Sequence, residues 1–247
     1  MEKTLGNYYP VSILGTGPGG PDYLTVEAKR RLNEADCILY DCLPATHILM
    51  EAGTHAEVRF IDKHPEGGVE AVDLLKIVEQ LYYEGKKVVR LKAGDAMMFN
   101  GGGVDCARLK EMGIPFEVIP GLTAAAAATS IFAIPITEKF ESNSIIYAIA
   151  DHVTDNYAHF RDVSKLFKHG TTLALYMAYD HLKEIFNVFI EEGVPTDMPV
   201  VIASMISLSH EDCACGTIET VFDVIDKREM LAPFVFFIGK HVKILTR

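Results

Sequence analysis

The sequence predicts an α/β protein of two α/β domains, with a mostly parallel sheet in the first and a mixed sheet in the second. Three observations carry this. Short apolar, β-prone runs alternate with helical stretches through the first half, the signature of a parallel sheet with helices on its faces. Ile134 to Ser144 holds a proline and a polar cluster between apolar runs, a boundary signal that divides the chain into 1–138 and 139–247. Beyond it the β-rich runs follow one another more closely, as in hairpins.

The elements follow in order. Val11 to Leu14 is the first strand, entering Gly15-Thr-Gly-Pro-Gly-Gly-Pro21. A helix spans Val26 to Ala35, with Ala28, Leu32 and Ala35 at helical spacing and Asp22 or Thr25 as its cap. Cys37 to Tyr40 is a strand ending at Asp41, Val58 to Ile61 a weaker one, and Glu70 to Glu84 a long helix. Lys87 to Lys92 is a buried strand, followed by a helix at Val104 to Met112 and a strand at Phe116 to Ile119. Pro120-Gly121-Leu122-Thr123 turns into the helical, small-residue run Ala124 to Ala128. In the second half, Ile145 to Ile149, Thr172 to Met177 and Pro199 to Ser207 read as strands. Cys213 to Thr220 pairs with the last of these, with a bend or bulge expected at Cys215-Gly216-Thr217. Helices span Leu182 to Glu192 and Val221 to Met230, and Pro233 to Gly239 and Val242 to Leu245 close the sheet.

Composition narrows the function. With 247 residues, 49% hydrophobic, the chain can bury a large core. A net charge of −11 argues against general nucleic-acid binding, which needs a basic surface. The longest mostly apolar stretch, Leu122 to Ile136, is shorter than a membrane span. Met-Glu-Lys-Thr-Leu-Gly-Asn shows no basic segment leading into an apolar one, so a cytoplasmic protein is expected. The five cysteines include Cys213-x-Cys215 and the pair Cys37 and Cys42. Neither spacing is a zinc pattern, and buried or incidental thiols are the reading. The nine histidines form no ligand cluster, and no metal site is expected.

The segment Leu91 to Gly103 is the most informative. A β-prone run ends in Ala93-Gly94-Asp95, and Gly101-Gly102-Gly103 follow, a loop whose backbone can approach a ligand closely. In α/β proteins ligands collect at the carboxyl ends of strands. Gly15 to Gly20 and Gly121 to Ala124 are two further small-residue loops at strand ends, so the three together suit a polar ligand held by main-chain groups. Gly15-x-Gly17-x-x-Gly20 with Asp41 also matches the dinucleotide fingerprint. Pro18 and Pro21 lack the N–H groups a pyrophosphate would need there, which argues against a nicotinamide or flavin site.

Taken together these motifs resemble the tetrapyrrole methylases, the class III S-adenosylmethionine-dependent methyltransferases, and within them look most like the uroporphyrinogen-III C-methyltransferases. The carriers are Leu14 to Pro21 with Leu24-Thr25 and Ala28, Ala35 to Asp41, Arg90 to Asp95, Gly113 to Ala124, Ile134 to Thr137, Leu175 to Met177, and Ala232 to Lys240. The resemblance runs from Val11 to Leu245. It implies a homodimer of two-domain subunits with S-adenosyl-L-methionine in the cleft between domains, leaving as S-adenosyl-L-homocysteine. It assigns the cofactor to Pro18, Ala93, Gly94, Asp95, Met98, Thr123, Ala124, Met177, Ile206 and Phe234. The implied acceptor is a tetrapyrrole, uroporphyrinogen III by default, on the precorrin-2 and sirohydrochlorin route to sirohaem and cobalamin.

The chain departs from the family pattern mainly where the acceptor would bind. The family's Phe-Gly-Arg-Gly-Gly-Glu-Glu is here Phe99-Asn100-Gly101-Gly102-Gly103-Val104-Asp105. Its Thr-His-Arg is Thr137-Glu138-Lys139, its Thr-Gly-His is Ala150-Asp151-His152, and a Gly-Lys-Arg-rich segment is replaced by Asp62 to Gly68. The candidates left for a general base are Asp105, Lys139 and His152. Other readings are a methyltransferase of the same fold acting on a corrin precursor or a peptide amide, and a cofactor-binding homologue without catalysis.

Overall fold

A computed structural model of the chain describes residues 8–41, 44–51, 55–61, 74–150 and 157–245. Two compact units emerge, Met1–Thr123 and Ala124–Arg247, each with its own five-stranded sheet. The division precedes the small-residue helix rather than following Glu138. The reason is local: Ala125 N–H donates to the Tyr176 hydroxyl at 3.1 Å, and Leu245 N–H donates to the Ala133 carbonyl at 3.0 Å, so this segment is tied to the second sheet.

The first unit runs β1 (Val11–Gly15), α1 (Val26–Glu34), β2 (Cys37–Tyr40), α2 (Pro44–Glu51), β3 (Glu57–Phe60), α3 (Leu74–Tyr83), β4 (Val88–Lys92), α4 (Gly102–Glu111) and β5 (Phe116–Ile119). Every strand pairing in it is parallel, in the order β3-β2-β4-β1-β5. Strands β1 and β4 are buried at every position, Ser12, Arg90 and Lys92 included, as central strands of a sheet covered on both faces are. Thr25 caps α1, its hydroxyl accepting from Ala28 N–H at 3.1 Å.

The strand order positions the site. The chain steps from β1 to β2 to β3 in one direction and from β3 to β4 to β5 in the other. Right-handed crossovers then place the first two helices on one face and the next two on the other. The packing agrees. Ala28, Leu32 and Ile48 pack with Leu14, Ile38, Val89 and Leu91, while Val78, Leu81, Cys106 and Leu109 pack with Val11, Ile13, Leu39 and Val88. Neighbouring β1 and β4 thus send their helices to opposite faces, and the crevice outside their carboxyl ends is the topological switch point where such sheets bind ligands.

The second unit runs α5 (Ala124–Ile131), β6 (Ile145–Ile149), α6 (Ala158–Ser164), β7 (Thr172–Tyr176), α7 (Leu182–Glu191), β8 (Pro199–Ser204), β9 (Asp212–Thr217), α8 (Val221–Arg228) and β10 (Phe234–Ile238). Its sheet is mixed, in the order β6-β7-β10-β8-β9 with β6 and β7 parallel and the other pairs antiparallel. Phe160, Phe167, Phe186 and Phe189 fill one face of it, with Phe167 and Phe189 edge to face at 5.2 Å. Two expectations fail here. β8 and β9 pair without a slip from Pro199↔Thr217 to Ser204↔Asp212, so Gly216 makes no bulge; its bare backbone admits α8, since a Cβ there would lie 3.3 Å from Val221 Cα. Val242 to Leu245 forms no strand; Val242 is buried, and its alternation reflects a tail lying on the unit rather than pairing in the sheet.

Candidate active site

At the carboxyl end of the parallel sheet, the three loops singled out in the sequence are bonded to each other. Thr16 N–H and its hydroxyl both donate to the Lys92 carbonyl, at 2.8 and 3.0 Å. Gly17 and Gly94, both in the left-handed region, exchange hydrogen bonds of 3.1 and 2.8 Å. The Gly94 carbonyl is wedged between Gly15 and Gly121: a Cβ on Gly15 would lie 2.6 Å from it and 2.8 Å from Gly121 Cα, and one on Gly121 would strike the same carbonyl. These glycines therefore serve loop-on-loop contact. With its N–H given to Gly17, Gly94 offers a ligand close approach rather than a donor.

Asp95 completes the lock. One carboxylate oxygen accepts from Met97 N–H at 2.9 Å, the other from Gly121 N–H at 3.2 Å. Asn100 then gathers the loop from beyond it, its Nδ2 lying 2.5 Å from the Ala93 carbonyl and 3.0 Å from those of Asp95 and Met98. Pro18, Ala93, Gly94, Asp95, Met98 and Thr123 thus lie on loops at one end of the sheet, around the switch point.

The triple glycine divides in its use. Gly101 is left-handed, and a Cβ added to it would meet nothing within 4 Å, whereas a Cβ on Gly102 would strike the Ala96 carbonyl. Beside them Met97 and Val104 are more than half exposed. Asp105, one turn into α4, points back at the sheet, with its carboxylate 2.6 Å from Lys92 Nζ and 3.7 Å from Arg90 Nε. Arg90 also pairs with Asp41 and donates to the Leu39 carbonyl at 3.4 Å. Both cations are almost wholly buried. Asp105 is thus a counter-ion to buried Lys92 and Arg90. Asp41 is committed in the same way, and α1 starts at Val26, beyond the glycine fingerprint. The dinucleotide pattern therefore has neither its helix terminus nor its acceptor. Cys106, also on α4, is buried, and its thiol is pushed up by desolvation first and Asp105 second.

In the second unit, the residues assigned to the cofactor gather at one end of the mixed sheet. Met177 follows the last residue of β7, Phe234 opens β10 and Ile206 follows β8, with Val235 opposite Tyr176 and Phe234 opposite Ser204 in register. Ala124 joins them, because its neighbour Ala125 donates to Tyr176. Met177, Met205 and Ser207 all hold left-handed backbone without being glycine. Such conformations cost of order 1–3 kcal/mol each and cluster at functional sites. Met177 is half exposed, while Ile206 and Phe234 are nearly buried, with Phe234 5.2 Å from Tyr179.

Lys139 lies at the other end of the same sheet. Its turn is held by Glu138 and Ser142, which exchange hydrogen bonds of 2.8 Å, and by His241 on Glu141 at 3.0 Å. Ser142 sits 3.5 Å from Thr172, the first residue of β7, so the length of that strand, roughly 17 Å for five residues, separates Lys139 from Met177. Its ammonium lies 4.9 Å from the Phe140 ring centroid. His152 and Asp62 to Gly68 lie outside the described residues. Among the described residues no group of three or more His, Cys, Asp or Glu could hold a metal ion. Sequence reasoning missed Asn100, Tyr176 and the counter-ion role of Asp105; only the Arg90-x-Lys92 pair inside an apolar strand, which needs buried partners, signals the last.

The sequence matches the tetrapyrrole (corrin/porphyrin) methylases over residues 10–221. Among curated relatives, the siroheme synthase of Methylococcus capsulatus is 32% identical over 94% of this chain and 49% of its own length. That of Methylobacillus flagellatus is 30% identical over 95% and 50%. The chain spans about half the length of the curated relatives it matches. Among solved structures, a cobalt precorrin-4 methyltransferase superposes with a TM-score of 0.81 at 25% identity, over 93% of this chain and 94% of that one. The uroporphyrin-III C-methyltransferase of Thermus thermophilus, complexed with S-adenyl homocysteine, gives 0.76 at 25% identity over 94% and 92%. With this fold and a match over most of its length, the chain belongs to the tetrapyrrole methylase family.

Proposed function

We propose that this chain is an S-adenosyl-L-methionine-dependent methyltransferase that methylates carbon on a tetrapyrrole, with uroporphyrinogen III as the first acceptor to test. The observation that carries this is the locked set of loops at the switch point, Gly15 to Gly20, Ala93 to Met98 and Pro120 to Thr123. They keep side-chain bulk away from the positions that the resemblance gives to the cofactor. The complex of the Thermus thermophilus relative with S-adenyl homocysteine supports the same ligand class.

The residues present fit that group. In the first unit, Pro18, Ala93, Gly94, Asp95, Met98 and Thr123 would hold it by close backbone approach. The resemblance also gives it Ala124, Met177, Ile206 and Phe234 of the second unit, an apolar set of which Met177 is half exposed. When bound, the cofactor supplies a methyl group on a sulfonium, already activated for displacement. The chain's own task is then alignment, which can account for several kcal/mol of the barrier. Asp95 serves that task indirectly, since both its oxygens are occupied by main-chain amides. For proton removal from the methylated carbon, Asp105 is spent on Lys92 and Lys139 lies a strand's length from Met177, which leaves His152 as the proposed base.

A second reading, a corrin precursor as acceptor, has a specific observation in its favour. The cobalt precorrin-4 methyltransferase superposes with a TM-score of 0.81, against 0.76 for the uroporphyrin-III C-methyltransferase. Incubation with labelled cofactor and either acceptor, followed by mass analysis, distinguishes them: uroporphyrinogen III gains labelled methyl groups on the first reading and none on the second. The remaining features of the reading are a homodimer, tested by light scattering, and a cytoplasmic location, tested by cell fractionation. Among the described residues no helix is long and apolar enough to cross a membrane.

A further inference from the structure

We propose that Asn100 is the positioning residue of the loop Ala93 to Met98. The inference deepens the functional reading above and rests on its assignment of that loop to the cofactor.

The geometry is specific. One side-chain nitrogen lies within hydrogen-bond distance of three main-chain carbonyls, those of Ala93, Asp95 and Met98. Three acceptors around one terminal atom identify it as the amide NH2 rather than the amide oxygen. Two hydrogens serve three carbonyls, so at least one is shared. The first, middle and last parts of the loop are thereby drawn to a single point. The chain reaches that point through Phe99, a bulky residue in the left-handed region at φ 58°, a conformation disfavoured for a residue with a Cβ. The amide bonds offset that cost. Together with Asp95, which fastens the loop to Gly121 and Met97, Asn100 gives the loop its shape before any ligand arrives. No other standard side chain of this size presents an NH2 here: aspartate would set oxygens against the three carbonyls, and alanine would leave them without their donor.

The experiment compares wild type, Asn100→Ala and Asn100→Asp in the full chain by two measurements. Titration calorimetry with S-adenosylhomocysteine reads binding, and amide hydrogen exchange on the ligand-free protein reads the loop. Exchange over Ala93 to Met98 should quicken in Asn100→Ala and affinity fall about tenfold, the worth of one net hydrogen bond. Asn100→Asp should bind more weakly still and recover as the pH is lowered toward about 4, where its carboxyl regains a proton to donate. A purely structural role would not give that recovery. Wild type that fails to bind S-adenosylhomocysteine overturns the cofactor reading itself. Wild type that binds, with Asn100→Ala binding equally well or exchanging no faster over the loop, overturns the role of Asn100 alone. If Asn100→Ala does not fold, the acid recovery of Asn100→Asp decides, and its absence overturns the proposal.

Discussion

Replacing Asp105 by asparagine separates a counter-ion from a catalytic base. The carboxylate sits 2.6 Å from an ammonium whose side chain is 2% exposed. Asparagine keeps the shape and one acceptor but removes the charge, taking from buried Lys92 the carboxylate at 2.6 Å and from Arg90 the one at 3.7 Å. Breaking a buried pair by removing one partner costs about 3–5 kcal/mol. Asp105 itself keeps 17% of its side-chain exposure, so water offsets part of this, and about 3 kcal/mol is the working value. For a chain of this length each kcal/mol lowers the melting temperature by roughly 2–4 °C, which gives a fall of roughly 6–12 °C. Pairing Asp105→Leu with Lys92→Met removes both charges together and should restore most of the loss, because apolar replacements of a whole buried pair are often neutral. Differential scanning calorimetry of the single and double variants reads this directly. An Asp105→Asn protein that melts within about 2 °C of wild type, yet has lost methyl transfer, would refute the counter-ion assignment and return Asp105 to the candidates for the base.

Three further expectations follow from the same geometry. Gly121→Ala forces a methyl group against the backbone of Gly15, at 2.6–2.7 Å, and against the Gly94 carbonyl; a denaturant titration should show about 1–3 kcal/mol of destabilisation, with S-adenosylhomocysteine binding lost in step. Met177→Gly keeps the left-handed backbone at φ 49° without the Cβ clash, worth of order 1–2 kcal/mol, so stability should hold or rise while affinity falls; equal affinity would remove Met177 from the cofactor surface. Alkylation by iodoacetamide at about pH 8, a reagent that needs the thiolate, should mark exposed Cys215 well before Cys213. Burial first, and Cys215 second, push the Cys213 thiol up to about 12, and peptide mass mapping gives the order of labelling.

Much of the fold is legible because burial on both faces makes β1, β4 and β7 mostly apolar, with Ser12, Arg90, Lys92 and Thr172 as the exceptions. The strand order is not legible, since nothing in Val88 to Lys92 says that it inserts between β1 and β2. Two helices also escape notice. α2 begins at Pro44, a good first helical position, but Ala-Thr-His follow with little apolar periodicity. α6 is only seven residues long and depends on Phe160 reaching the core. Glycines mark the strand-end loops in the sequence, yet not the use to which they are put. Gly15, Gly94 and Gly121 hold one another, an arrangement that exists only once the three strands lie side by side. Asn100 is hidden for a related reason: an asparagine before glycine reads as ordinary turn chemistry, and its three acceptors come from residues up to seven positions earlier. Lys139 is drawn to the site by its place in a motif, but the direction of β7 carries it to the opposite end of the sheet.

Methyl transfer from S-adenosyl-L-methionine to a tetrapyrrole carbon is tested most directly by incubating the chain anaerobically with methyl-labelled cofactor and uroporphyrinogen III, and in parallel with a corrin precursor, and weighing the products. Labelled methyl carbon in a tetrapyrrole product, formed together with S-adenosyl-L-homocysteine, is the expected result. Unlabelled acceptors, from protein that is folded and binds S-adenosyl-L-homocysteine, would contradict it.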